Sequence, residues 1–308
     1  MSDPRIAAFA RLASGNSEPL RIIQGQKTKI TRAAHGITYD PGRDEIIASE
    51  PLAAAILTFP GGADGQVAPI RVLQGPHTQL HRPYQEVVDD VHKELIVADD
   101  VSSAILVFPW DANGDTPPLR VIQGPKTGMK TVVGVGVDPQ RNLIVAAADR
   151  GLYTWDHQGG LYIFNRTDNG NVAPRAVIAG PHTGISSPWH LALYQGKIYA
   201  AISRAVGVGG EYIRPYDRSG YLPKPGCKGP PNLIGGPLGF VGVWYLTDNG
   251  DVPPHAILKG TRAPHPSSIA INPAEGEIYT GERDTNGVYA FIVPRFFSGG
   301  DGFTPGDR

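Results

Sequence analysis

A single cysteine, Cys227, stands in 308 residues. One thiol excludes an internal disulfide, a cysteine-built zinc centre and a CxxCH haem attachment. Long apolar runs are missing too: none reaches the ~18–20 residues of a membrane helix, so no membrane span is expected. Neither sign of charge is in excess, with 28 Lys and Arg against 29 Asp and Glu and a net charge of −1. No basic stripe is left to neutralise phosphates, which argues against a nucleic-acid or anionic-membrane partner. The opening MSDPRIAAFARLASGN has no apolar h-region, so no export signal is read in it. GxSxG, P-loop, dinucleotide, HxH and HExxH patterns are all absent. The glycine-rich stretch Gly207–Gly210 lacks the strand–helix context that phosphate cradling needs.

Glycine and proline, by contrast, are abundant at 39 and 29 residues, and they fall at regular offsets. The heptapeptide PLRIIQG (19–25) returns as PIRVLQG (69–75), PLRVIQG (118–124), PRAVIAG (174–180) and PHAILKG (254–260). An aromatic precedes each proline by ten residues and a glycine by four, as in Phe59, Gly65 and Pro69 or Trp244, Gly250 and Pro254. After the heptapeptide comes a polar loop, often GPxT, and then two short apolar strands joined by a turn such as DPGRD or NPAEG. A third strand ends in the aromatic, and the heptapeptide is the fourth, its leading proline suited to a strand edge.

Four antiparallel strands in roughly fifty residues, without helical periodicity, predict a β-propeller. Five inner hairpins start near Gly36, Glu86, Val133, Leu191 and Ser268, so five blades are expected, with six as the alternative. The N-terminal outer strands (Ile6–Ala10 with Leu20–Gln24) lack an inner hairpin and are expected to pair with the C-terminal one, closing a single domain over 1–308. Gly287–Val293 competes for the same third-strand slot, before a C-terminal tail at 294–308. The surplus strand is an extra edge, or a means of pairing with another copy as a homo-oligomer.

Two blades break the rhythm. Successive heptapeptide prolines are 50, 49, 56 and 80 residues apart, so the third and fourth blades carry insertions, about 149–160 and 204–239. Both fall between second and third strands, on the rim where each first strand begins, and long loops on a rigid ring are where binding resides. Tyr153, Trp155, His157, Tyr212, Arg214, Tyr216, Arg218 and Tyr221 suit a ligand lip, or else a small core that seats the insertions. Aligned starts of the first strands place His35, Gln85, Gly134, His190 and Ser268 around the channel mouth, Gln85 as a binding residue. Ends of the second strands add Glu50, Asp99, Asp100, Asp149, Arg204, Glu282 and Arg283. His35 and His190 with Glu50, Asp99, Asp149 and Glu282 suit a divalent metal, or one histidine a general base. The same acids equally suit turn caps. Asp40, Asp90 and Asp138 read as braces of the first hairpins, and His77 and His182 of the GPHT loops as solvated turn residues.

The repeat, with G-I-x-x-D and E-I-x-x-A-[DS] following it, resembles the bacterial NHL-type propeller repeats over about residues 5–293. That resemblance implies a propeller, an extracytoplasmic setting, and a superfamily that spans lactonases, lyases and pure binding modules. Three functions stay open. One is a scaffold that binds a small molecule, glycan or protein at the inserted face. Another is a lactonase-like hydrolase in which a divalent ion polarises a carbonyl and an acid or histidine activates water, although the chain departs from gluconolactonase-like propellers in blade count and lacks an obvious Glu/Asn/Asp ligand set. The third is self-assembly through the surplus strand.

Overall fold

The structure, a computed structural model, describes residues 4–149, 159–204, 239–260, 265–282 and 285–298, and at Asp149 and Arg204 the backbone alone. Among the described residues every long element is a β-strand, and no helix is long and apolar enough to cross a membrane. Strands β1 (Arg5–Ala8) and β2 (Arg21–Gln24) form a two-stranded ladder. The first blade is β3 (Ile37–Asp40), β4 (Glu45–Glu50), β5 (Ala55–Pro60) and β6 (Arg71–Leu73). The second is β7 (Pro83–Asp89), β8 (Glu94–Asp99), β9 (Ala104–Pro109) and β10 (Arg120–Ile122). The third is β11 (Lys130–Asp138), β12 (Leu143–Asp149), β13 (Gly159–Asn165) and β14 (Ala176–Ile178). The fourth is β15 (Ser187–Tyr194), β16 (Lys197–Arg204), β17 (Phe240–Tyr245) and β18 (Ala256–Leu258). The fifth is β19 (Pro266–Asn272), β20 (Glu277–Glu282) and β21 (Gly287–Ile292). The fold is a five-bladed β-propeller, each blade an antiparallel meander.

Two compact units divide the chain: Met1–Gly124 with Thr167–Val172, and Pro125–Arg166 with Ala173–Arg308. In the first, β3 packs on β7; in the second, β11 packs on β15 and β15 on β19, so first strands face first strands. Each repeat position has a separate physical task. The aromatics Phe59, Phe108, Phe164 and Trp244 are fully buried. Phe9, whose copy has no inner hairpin to cover it, is 51% exposed. The lead-in glycines stitch blades together: Gly65, Gly114, Gly170 and Gly250 bridge Ile23, Leu73, Ile122 and Ile178 of the preceding fourth strand. All four sit at positive φ, between 64° and 84°, where a side chain would be strained. In the GPxT loops and their first counterpart, GQKT at 25–28, the threonine hydroxyl donates to the glycine carbonyl three residues back, at 2.6 Å for Thr28 and Thr78 and 2.7 Å for Thr183.

The heptapeptide arginine has the longest reach. Arg71 holds Glu45 with both terminal nitrogens, and Arg120 holds Glu94 the same way at 2.8 Å per contact. The fourth strand is thereby bolted across the third onto the start of the second. In the third blade both partners are lost together, to Ala176 and Leu143, which pack in one apolar cluster. In the fourth blade the acid is replaced by Lys197, whose Nζ donates to the carbonyls of Phe296 and Ser298 at 3.2 and 3.0 Å.

Two expectations about the termini are corrected. The free edge of β20 is taken by β21, in register from Glu277↔Ile292 to Glu282↔Gly287, while β1 pairs with β2. The N-terminal strands therefore do not supply the third strand of the fifth blade. A strand four residues downstream closes a far shorter loop than one at the other end of the chain, at correspondingly lower entropic cost. Nor is the segment after 293 simply a tail. Phe296 and Phe297 are buried in the core formed by Tyr199, Val243 and Ile278, and Phe297 stacks on Tyr199 at 5.4 Å.

Candidate functional site

The rim where first strands begin is shaped by a recurring irregularity. In β7, Pro83 pairs with Asp99 and Glu86 with Val97, leaving Tyr84 and Gln85 against Ala98. In β15, Trp189 and His190 likewise oppose Ala201, between the pairs Pro188↔Ile202 and Leu191↔Ala200. Val133 and Ser267 are the extra residues in β11 and β19. In the first blade the His35 N–H and the Gly36 carbonyl both bond to Ser49, at 3.1 Å each. Such bulges end regular pairing and re-aim side chains.

The bulge moves the repeat alignment by one residue. Gly36, opposite Ser49, takes the position of Gln85, Gly134, His190 and Ser268; His35 falls with Tyr84, Val133, Trp189 and Ser267. The glycines are there for close approach. A Cβ on Gly36 would overlap the carbonyl oxygen of Tyr84, and one on Gly134 that of Trp189, in each case the bulge of the next blade. Gln85 and His190 are buried rather than open to solvent.

The acids at the second-strand ends are engaged by their own loops. Asp99 accepts from the N–H groups of His81 and Arg82 at 2.8 Å through one oxygen, and from Ser102 N–H and hydroxyl at 3.0 and 2.6 Å through the other. Glu282 accepts from His265 N–H on one side and from Thr285 N–H and hydroxyl, at 3.1 and 3.2 Å, on the other. Glu50 accepts from Thr31 N–H and hydroxyl at 3.0 and 2.6 Å, and burial raises its carboxyl although these bonds oppose the shift. Each acid pins the loop ahead of the first strand, and Asp99 and Glu282 also pin the turn after the second. In the third and fourth blades this slot holds Ala148 and Ile202. Those are the blades whose second-to-third turn is an insertion.

Asp100, beside Asp99, forms an ion pair with Arg82. Burial raises its carboxyl, and the Arg82 guanidinium works against that. The guanidinium lies 5.8 Å from the Tyr84 ring, against which the His35 ring lies tilted by 39° with centroids 3.9 Å apart. The row His35, Tyr84, Arg82, Asp100 thus offers aromatic faces and a neutralised cation, an arrangement for contact more than for proton transfer. Beneath it lies Glu86, which sequence reasoning did not single out. It is 0% exposed, and neither carboxyl oxygen has a hydrogen-bond partner. Ser49 is adjacent, but its hydroxyl donates to the Tyr84 carbonyl and accepts from Gly36 N–H at 2.7 Å. Burial pushes the Glu86 carboxyl well above the ordinary range, Ser49 opposing only in part.

Among the described residues no group of three or more His, Cys, Asp or Glu side chains is placed to hold a metal ion. Tyr153, Trp155, His157, Tyr212, Arg214, Tyr216, Arg218, Tyr221 and Arg283 lie outside the described residues, as do the side chains of Asp149 and Arg204. His77 and His182 are exposed yet paired, with Asp115 at 2.6 Å and Asp251 at 2.5 Å. The hairpin braces are Asp40, Asp89 and Asp138, so the expectation for Asp90 is corrected by one residue: Asp89 accepts from Val91 and His92 N–H at 3.1 and 2.9 Å.

Solved structures of similar fold include the following two. Hydrazine synthase of Kuenenia stuttgartiensis superposes with a TM-score of 0.57 over 91% of this chain and 68% of its own, at 12% identity. The likeness is one of fold. A nidogen/laminin complex gives a TM-score of 0.55 over 84% of this chain and 76% of its own, also at 12% identity. No family model matches the sequence, and no curated protein matches it.

Proposed function

We propose that the chain is a binding propeller of the NHL kind, whose inserted segments 149–160 and 204–239 hold a small molecule, glycan or protein. The observation that carries this reading is the fate of the acid slot. Three blades fill it with Glu50, Asp99 and Glu282 and keep short turns; the third and fourth replace it with Ala148 and Ile202 and lengthen the connection. The described ends of both insertions, Asp149 with Gly159 and Arg204 with Phe240, leave the same rim of adjacent blades. Within the two inserted segments the sequence carries Tyr153, Trp155, Tyr212 and Tyr216, with His157 and Arg214, residue types that supply contact chemistry. Loops carried by a rigid scaffold are the usual seat of recognition. The nidogen neighbour was solved with laminin, which supports a protein as one class of partner.

The test replaces residues 149–159 by the turn Asp100–Ser103 of the second blade, with Ala148→Asp to restore the brace. Intact and replaced proteins are compared on glycan and peptide arrays after thermal melts show that both fold. Binding lost in the replaced protein supports the reading. Equal binding by the two proteins, or none by either, removes it.

A further inference from the structure

At the opposite end of the strands from the insertions, a cleft of about 520 Å³ opens between the third and fourth blades. Arg141, Arg175, Gly196, Tyr245, Leu246 and Asn249 line it. Its counterpart between the first and second blades is plugged. There Trp110 sits with its ring 4.2 Å from the Arg43 guanidinium and 4.0 Å from Lys93 Nζ. Arg43 also donates to the Trp110 carbonyl at 3.1 Å and lies 3.1 Å from Glu45.

Residue by residue, the third and fourth blades keep the socket and lose the plug. Arg141 stands where Arg43 does, braced three residues after its aspartate in the same way, with Asp138 at 3.0 Å. Leu246 replaces Trp110: the backbone N–H of each donates to the hairpin turn, at 2.8 Å to Gly196 and 3.1 Å to Lys93. Gly196 therefore also replaces Lys93. Leu143 replaces Glu45 at the start of the second strand. An indole, an ammonium and a carboxylate are gone together, whereas the guanidinium remains. A second guanidinium is added, because Arg175 follows Pro174 where exposed Ile70 and Leu119 follow the heptapeptide proline.

We propose that this cleft binds a small aromatic carboxylate. Its ring occupies the place that Trp110 fills in the first pair of blades, over Leu246 and beside Tyr245. Its carboxylate supplies the charge that Glu45 gives to Arg43, accepting from Arg141 with Arg175 at hand. The volume lies within the range usual for small-molecule sites.

Isothermal titration of the full chain with indole-3-carboxylate, indole-3-carboxamide and inorganic phosphate tests the proposal. The expected result is saturable one-to-one binding of the acid, with the neutral amide and phosphate each at least tenfold weaker. Leu246→Trp refills the cleft and should abolish binding, and Arg141→Gln should weaken it at least tenfold. Arg141 is exposed, so Arg141→Gln decides the matter even if Leu246→Trp does not fold. Absence of saturable binding, equal affinity for acid and amide, phosphate binding as tightly as the acid, or affinity unchanged in Arg141→Gln would each overturn it.

Discussion

Glu86 occupies a position that the other first strands fill with Ile37, Val135, Leu191 and Ile269. A carboxyl there is desolvated and Ser49 offsets the loss only in part, so burial shifts it toward its protonated form. The sign of the pH effect follows. Because the folded-state pKa lies above the unfolded one, the protonated group contributes fully below the ordinary glutamate range. That contribution is lost as pH rises through the folded value. Glu86→Leu should therefore stabilise the protein at pH 8 by on the order of 1–3 kcal/mol and change little at pH 4. Urea denaturation of both proteins across that range checks this, and parallel pH profiles would refute it. The residue was legible as a charge in EVVDD among aliphatic counterparts, but one position of register decides whether it faces core or solvent. The bulge that sets that register has no sequence signature, and for the same reason repeat alignment alone sets His35 one position from where it stands. Gly36 carries a companion expectation: Gly36→Ala sets a Cβ onto the Tyr84 carbonyl and should cost more than about 2 kcal/mol, read from the thermal midpoint.

At the scale of the element, the arginine of PxRxIxG bolts the fourth strand to the second. The side chains of Arg120 and Glu94 are 17% and 7% exposed, so removing one leaves a largely desolvated charge. Glu94→Ala should cost roughly 3–5 kcal/mol. The double change Glu94→Leu with Arg120→Ala copies Leu143 and Ala176 of the third blade, and should recover stability to within about 1 kcal/mol of the parent. A double-mutant cycle reads the coupling directly, and additive losses would show that the pair does not act as a unit. The strands themselves were legible, since aromatic, glycine and heptapeptide recur with blade spacing. The ion pair was not, because its partners are 26 residues apart and no single-strand periodicity connects them. Only their joint loss in the third blade betrays the pairing. The bracing acids show the same limit. Their position at strand ends was plain, but a carboxylate that caps a turn and one that holds a metal are the same letter in a sequence.

For the whole molecule, the ends of the repeat act as caps. Blades bury their faces on their neighbours, and each terminal element adds apolar cover within its own unit. In the first unit that cover is the β1–β2 ladder. Ile6 and Ile23 close over Leu57 and Phe59, and Ile23 bridges Gly65. The ladder repeats the third- and fourth-strand pairing of a blade, Ile6↔Ile23 matching Ile56↔Leu73. It lacks the inner hairpin of a full blade, and Ile37 of β3 is 58% exposed. In the second unit the cover is the turn at Pro294–Phe296, where Tyr199 donates to the Phe296 carbonyl at 2.6 Å and the Phe296 ring is 1% exposed. Deleting residues 1–25 should strip the first blade of its outer cover and lower amide protection in β4–β6 before that of β15–β17. Phe296→Ala should do the reverse, at a cost of roughly 3–5 kcal/mol. Hydrogen exchange read by mass spectrometry distinguishes the two cases. If either change lowered protection evenly over both units, the caps would be serving one cooperative core, and the blade-by-blade account of stability would have to be given up.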